Sequence, residues 1–205
     1  MSVNTVNASV DGSTIKGYVK SQRTANLALH SRNILEGLNK EQIIEKLSKE
    51  YENTKVLNAR VTHMKEIEKP LGITYQFEME EAIEEVGNKS MFYPALFFRT
   101  KENYFKSDKR KFPIYFAYPK ALSYIIDIHI PESYKIQKLP ENASFNLPEN
   151  MGSYTYKIQQ TPRGIRLQIE IKISQAVIPV TRYKELKDFF EKIVSKENEP
   201  VILSK

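Results

Sequence analysis

The sequence contains no cysteine. That single absence removes a disulfide framework, a thiolate nucleophile and any Cys-ligated metal centre. Tryptophan is also missing, and the seven glycines are scattered singly along 205 residues, so there is no glycine-rich loop to cradle a phosphate. No run approaches the roughly 18 apolar residues of a membrane helix. The start, MSVNTVNASVDGSTIKGY, has neither the basic n-region nor the apolar h-region of a secretion signal. No GxSxG elbow marks a serine nucleophile and no HExxH marks a zinc site.

What is present reads as a folded, β-rich chain. The hydrophobic fraction is 40%, Tyr and Phe supply the aromatics at 12 and 10, and Pro reaches 10, which suits strands joined by proline-marked turns. Basic residues outnumber acidic ones by 31 to 25, a net charge of +6. Both signs are spread along the chain, so the excess serves solubility rather than nucleic-acid binding.

From Val3 the pattern is extended, with Asp11-Gly12 as a turn. TANLALHSRNIL fits a helix or an irregular strand. Asn39 with Gln42 three residues later forms a capping-box signature. Ile43, Ile44, Leu47 and Tyr51 then share a face, which predicts an amphipathic helix over about 39–52 lying on an apolar layer; the balanced Lys and Glu on its polar face argue against a membrane surface. Leu57, Ala59 and Val61 alternate as a strand, Pro70-Leu71-Gly72 reads as a turn, and Ile73, Tyr75, Phe77, Met79 and Ile83 mark a second strand face. Gly87-Asn88 is another turn, and MFYPALFF an edge segment or buried connection.

Thr100 to Lys111 is a polar break and the expected domain boundary. Beyond it, prolines at 113, 119, 131 and 140 frame two strands. Tyr154, Tyr156 and Ile158 alternate, Thr161 to Gly164 predicts a hairpin turn, and Ile165, Leu167, Ile169, Ile171 and Ile173 give the strongest strand signal in the chain. After Pro179 the period becomes 3.6, predicting a helix over about 181–195 with Thr181 as N-cap. Val201-Ile202-Leu203 reads as a last strand.

Three groups of residues invite a chemical reading. His30, His63 and His129 are far apart and unclustered, which favours ordinary surface or half-buried roles. Glu78, Glu80, Glu81, Glu84 and Glu85 have oxygen ligands for a hard cation such as calcium, but their alternation with Phe77, Met79 and Ile83 is what a solvated strand face looks like. The basic-aromatic segment Arg99 to Lys111, with Tyr104 and Phe105, has the ingredients of a single-strand nucleic-acid platform; Glu102 and Asp108 dilute it, and a charged loop anchored by its aromatics explains the same residues. The expectation is therefore no catalytic residue, no cofactor-binding residue, no metal site and no nucleic-acid partner.

The order KRKFPIYFAYP, IDIHIPESYKIQKLP, FNLPENMGSYTYKIQQ, IPVTRYKELKDFFEKIV and PVILSK resembles the domain of unknown function at the C-terminal end of bacterial, Bacteroides-type, transglutaminase-like envelope proteins. Arg110 and Pro113 match its opening segment, Pro131, Tyr134, Leu139 and Pro140 the next, and Tyr183, Leu186, Lys187 and Phe189 its closing helix. Ser133 stands where the family usually has glycine, so a turn normally relieved by glycine has to accept a side chain. The resemblance is close over Lys109–Lys205 and looser before it. It implies a periplasmic or cell-surface parent chain, with a catalytic core and signal peptide upstream and Met1 not the parent's own start. That core works with Cys, His and Asp, and without cysteine none of the triad carries over; this polypeptide is expected not to be an enzyme.

The expected architecture is mainly β (α+β), with a β-rich linker or accessory region over 1–100 and an antiparallel β-sandwich-like domain with its closing helix over 101–205. The expected role is a non-catalytic accessory region that positions or partners the catalytic core, the alternative being a glycan- or peptide-binding module at the envelope that uses exposed tyrosines as contact surfaces.

Overall fold

Asp11 and Gly12 turn the first strand back on itself, Gly12 supplying the positive φ of +62° that a tight turn demands. In the computed structural model, which describes residues 1–205, β1 (Ser2–Asp11) and β2 (Thr14–Arg23) form this hairpin with Val6 beside Val19. TANLALHSRNIL is a helix, α1 (Ala25–Leu35). The capping box then forms as its spacing predicts: Asn39 Oδ1 accepts the Gln42 N–H at 2.9 Å and Gln42 Oε1 accepts the Asn39 N–H at 2.9 Å, starting α2 (Lys40–Glu50).

Two further strands follow, β3 (Thr54–Thr62) and β4 (Leu71–Met79). Two segments here differ from the local pattern. Leu57 points outward, 45% exposed, because the register with β4 slips between Val56 and Asn58; the bulge puts an extra residue on one strand and breaks the alternation that placed Leu57 with Ala59. Leu71 and Gly72 are strand residues rather than a turn, Leu71 pairing with Arg23 and Gly72 with both Gln22 and Thr62. A Cβ on Gly72 would run into the Thr62 hydroxyl, so the two strands approach closely here.

A short hairpin, β5 (Glu84–Val86) and β6 (Lys89–Phe92), turns at Gly87-Asn88. MFYPALFF then ends as a buried connection in which Ala95, Leu96 and Phe97 are all inside. Thr100 to Lys111 contains no helix or strand. The remaining elements are β7 (Ile114–Tyr115), β8 (Lys120–His129), β9 (Lys135–Lys138), β10 (Ala143–Asn146), β11 (Gly152–Thr161), β12 (Gly164–Ile173), β13 (Val177–Ile178), α3 (Tyr183–Glu197) and β14 (Val201–Ser204). Thr181 does not cap α3; it lies in a 3-10 turn over Val180–Arg182, and Arg182 occupies the cap position. Ser133 is not among the residues with positive φ. The turn closes instead through the Tyr134 N–H to the Pro131 carbonyl at 3.0 Å, so the serine meets no left-handed strain.

The protein is mostly β, with several sheets and a C-terminal helix. Eight strands form the main sheet in the order β10-β11-β12-β8-β1-β2-β4-β3. Every pairing in it is antiparallel except β1 with β8, which run parallel with Val6 beside Ile126. Strands from residues before and after 100 therefore share one sheet. A second sheet has the order β5-β6-β14-β9 and a third consists of β13-β7. One face of the main sheet is apolar: Val6, Val19, Phe77, Ile126, Leu167 and Tyr156 are essentially inaccessible. Val201 and Leu203 of the second sheet and Leu186, Phe189 and Ile193 of α3 join the same core. The opposite face carries Arg166, Gln168 and Glu170, and Arg166 makes a two-pronged ion pair with Asp127 on the neighbouring strand at 2.7 and 3.0 Å. No helix is long and apolar enough to cross a membrane.

Candidate ligand-binding cleft

At one end of the apolar sheet face the pattern changes. Inward positions that should carry aliphatic side chains instead carry Ser2 and Asn4 on β1, Ser21 and Arg23 on β2, and Tyr124 on β8. Register brings them side by side, Ser2 beside Arg23, and Asn4 between Ser21 and Tyr124. Ser2, Asn4 and Ser21 are at most 5% exposed. Buried polar groups are costly unless they are hydrogen-bonded. Asn4 donates to Ser2 Oγ at 3.3 Å and to the Ser123 carbonyl at 3.4 Å. Arg23 donates from Nε to Ser21 Oγ at 3.4 Å and from Nη1 to Ser31 Oγ at 2.7 Å.

Ser2, Asn4, Arg23 and Tyr124 form the floor of a cleft of about 610 Å³. That size lies within the range of small-ligand sites, roughly 300–1,000 Å³. One wall is α1 with Leu27, His30 and Ser31. Another is the buried connection after β6, with Phe97, Phe98, Arg99 and Thr100, and a third comes from Phe105, Phe116 and Phe190. The aromatics are packed together: Phe98 lies 4.9 Å from Tyr124, Phe97 4.6 Å from Phe98, and Phe105 5.1 Å from Phe190, ring centre to ring centre. Tyr51, from just beyond α2, packs against Phe97 with the rings tilted and their centres 4.5 Å apart, and burial pushes its phenol up to about 12. Burial also raises Tyr75 and Tyr124 well above the ordinary tyrosine range, so these hydroxyls stay protonated donors.

The wall containing Thr100 is clamped from behind. Glu197, 2% exposed at the end of α3, accepts the Thr100 N–H at 2.7 Å and the Tyr154 hydroxyl at 3.2 Å. Asn198 Nδ2 donates to the Thr100 carbonyl at 3.1 Å. Burial raises the Glu197 carboxyl above its ordinary value, against the opposing pull of the Thr100 and Tyr154 hydrogen bonds and the Arg99 charge.

Residues singled out in the sequence are dispersed. His30 lines the cleft; His63 lies in the loop after β3, its Nδ1 3.0 Å from the Pro70 carbonyl; His129 sits at the end of β8 on the opposite face. Of the acidic group, Glu78 pairs with Lys16 at 3.7 Å and Glu85 with Lys205 at 2.6 Å, while Glu81 and Glu84 line a neighbouring depression. No three His, Asp or Glu side chains converge in a geometry that could hold a metal ion. The basic-aromatic segment is laid along α3: Phe105 is buried between Phe116, Tyr183 and Phe190, the Tyr183 hydroxyl donates to the Ser107 carbonyl at 2.7 Å, and Lys187 Nζ pairs with Asp108 at 2.8 Å. Arg110 lies over the Tyr183 ring at 5.6 Å. The segment-opening Arg110 and the helix residues Tyr183 and Lys187 thus meet in space, and their work there is to dock this segment on the helix.

The sequence model of a family described as a domain of unknown function with solved-structure structure, DUF3858, matches residues 88–203, more than half of the chain. The chain belongs to this family. The DUF3858 region runs from β6 through β14, so it supplies β8, the Phe98 to Phe105 wall and α3, whereas the floor residues Ser2, Asn4 and Arg23 and the α1 wall come from the residues before it. No curated protein and no solved structure compared with the chain gives a significant match.

No single stretch of sequence marks the cleft. Its residues come from β1, β2, α1, the end of α2, the connection after β6, β8, β12 and α3. The available signal was small: Ser2 and Asn4 continue, with polar residues, the inward alternation that Val6, Ala8 and Val10 fill with apolar ones.

Proposed function

We propose that the chain is a non-catalytic accessory region of a transglutaminase-like envelope protein, at the periplasm or cell surface, and that its contribution is to hold a ligand. The parent context rests on the match of Arg110, Pro113, Pro131, Tyr134, Leu139, Pro140, Tyr183, Leu186, Lys187 and Phe189 to the C-terminal segments of such proteins. The same reading takes the eight- and four-stranded sheets as layers of a sandwich closed by α3, since residues of both enter one core. Between positioning a catalytic core and binding a glycan or peptide, the cleft favours binding.

One observation carries this. A polar floor under aromatic walls has no value to a core, where apolar side chains would pack better, but it orients a bound molecule by hydrogen bonds while the walls exclude water. The experiment is a thermal-shift screen of the whole chain against short peptides and cell-wall oligosaccharides, with Asn4→Leu as the cleft variant. Stabilisation of the native protein that vanishes in Asn4→Leu is the expected result. Ligands that stabilise both proteins equally would remove the cleft from the account. A Cys-His-Asp core encoded in frame upstream supports the accessory context, and its absence argues against it.

A further inference from the structure

The charges in the cleft are one-sided. Arg23, Arg99 and Lys120 line it and Glu50 is the one carboxylate among the lining residues. None of the protein's ion pairs involves Arg23, Arg99 or Lys120. Arg23 spends two of its five N–H groups on the neutral hydroxyls of Ser21 and Ser31. These contacts fix the guanidinium in place without neutralising it. Arg99 lies with its guanidinium carbon 3.7 Å from the centre of the Tyr93 ring, and its Nε is buried with no hydrogen-bond partner. Glu197 feels its charge but is outside ion-pair distance. A pre-positioned guanidinium in a partly water-excluded site is a receptor for a carboxylate, which it grips through parallel N–H···O bonds.

We propose that the cleft takes the C-terminal end of a peptide, its carboxylate paired with Arg23 and its last apolar side chains seated against Phe97, Phe98 and Phe116. This rests on the reading of the cleft as a ligand site. The favoured source of the carboxylate is a peptide rather than an acidic sugar because the walls are aromatic and aliphatic. An acidic saccharide presents hydroxyls on every side, and Leu27, Leu122, Ile171 and Ile173 offer those hydroxyls no hydrogen-bond partner, whereas they suit the apolar side chains of a peptide. Arg99 and Lys120 add long-range attraction for the terminus, which makes binding weaken as salt rises.

The test uses the whole chain and three probes: a pool of acetylated tetrapeptides with Ala, Leu, Phe or Tyr at each position and free carboxyl termini, the same pool amidated, and tetragalacturonate. Calorimetry on the best free-acid peptide is expected to give at least about tenfold tighter binding than its amide, with Arg23→Gln reduced to the amide's level and Arg23→Lys in between. The acid-versus-amide comparison needs no variant and so stands even if Arg23→Gln folds poorly. Equal binding of acid and amide overturns the proposal while leaving the cleft a ligand site. So does tetragalacturonate binding more tightly than any peptide. Absence of binding by all three probes overturns both the proposal and the ligand-site reading beneath it.

Discussion

Glu197, the last residue of α3, accepts the backbone N–H of Thr100 at 2.7 Å. A buried carboxylate at the end of the closing helix therefore holds one wall of the cleft, and its protonation state bears on stability. Its folded-state pKa is raised above the ordinary 4.5, chiefly by burial. The folded state then binds the proton more tightly than the unfolded state, so this group's contribution is fully present below the unfolded pKa and is lost as pH rises through the folded one. Chemical denaturation of wild type and Glu197→Gln at a series of pH values checks this. The stability of wild type relative to the variant is expected to fall as pH rises above about 4.5; a pH-independent difference, or a rise, contradicts it.

Ile169 is 2% exposed on β12, between Tyr124 on β8 and Tyr156 on β11. Its burial contributes about 1.5–3 kcal/mol, and an aspartate there adds an unpaired buried charge. Ile169→Asp is expected to cost more than about 4 kcal/mol and to abolish the cooperative thermal transition. A melt like that of wild type would show that the register of β12 is wrong.

Arg32 holds the loop between β3 and β4 by its backbone. The side chain is buried, and Nη2 donates to the carbonyls of His63 at 3.0 Å, Glu66 at 3.0 Å and Lys69 at 2.8 Å, with Nε also reaching His63 at 3.3 Å. Arg32→Met keeps much of the apolar stem and leaves those acceptors without their donor. Expected are a loss of about 1.5–3 kcal/mol and faster amide hydrogen exchange across residues 63–70. Unchanged exchange in this loop would mean that other contacts hold it.

Gly164 follows the Pro162-Arg163 turn with φ +146°, and a Cβ there would collide with the Ile128 carbonyl oxygen on β8. Gly164→Ala combines backbone strain with a clash against a central strand, so a loss of about 1–3 kcal/mol is expected. A denaturation midpoint equal to wild type would place the hairpin further from β8 than it is here.

Much of the local structure is legible because its causes are local. Asp11-Gly12, the Asn39 and Gln42 pair, and the Ile165 to Ile173 alternation each describe an element within a few residues. Leu57 misleads because a bulge is a property of the pairing with β4, not of β3 alone. Thr181 misleads because the 3-10 turn over Val180–Arg182 delays α3. The parallel pairing of β1 with β8 joins residues more than a hundred positions apart, and no local period encodes it. The cleft depends on that pairing, since Asn4 meets Tyr124 only there. Polar residues on an otherwise apolar inner face are the trace such a site leaves in a sequence, and at Ser2 and Asn4 that trace is two residues long.

Ligand binding in the polar-floored cleft is distinguishable from binding on the open polar face of the sheet. The direct measurement is a map of backbone amide shifts in the whole chain on titration with the free-acid tetrapeptide pool. Changes concentrated at Ser2, Asn4, Arg23, Thr100 and Tyr124 are expected. Changes centred on Asn7, Tyr18, Asp127 and Arg166, which line a shallow depression on the opposite face, would contradict binding in the cleft.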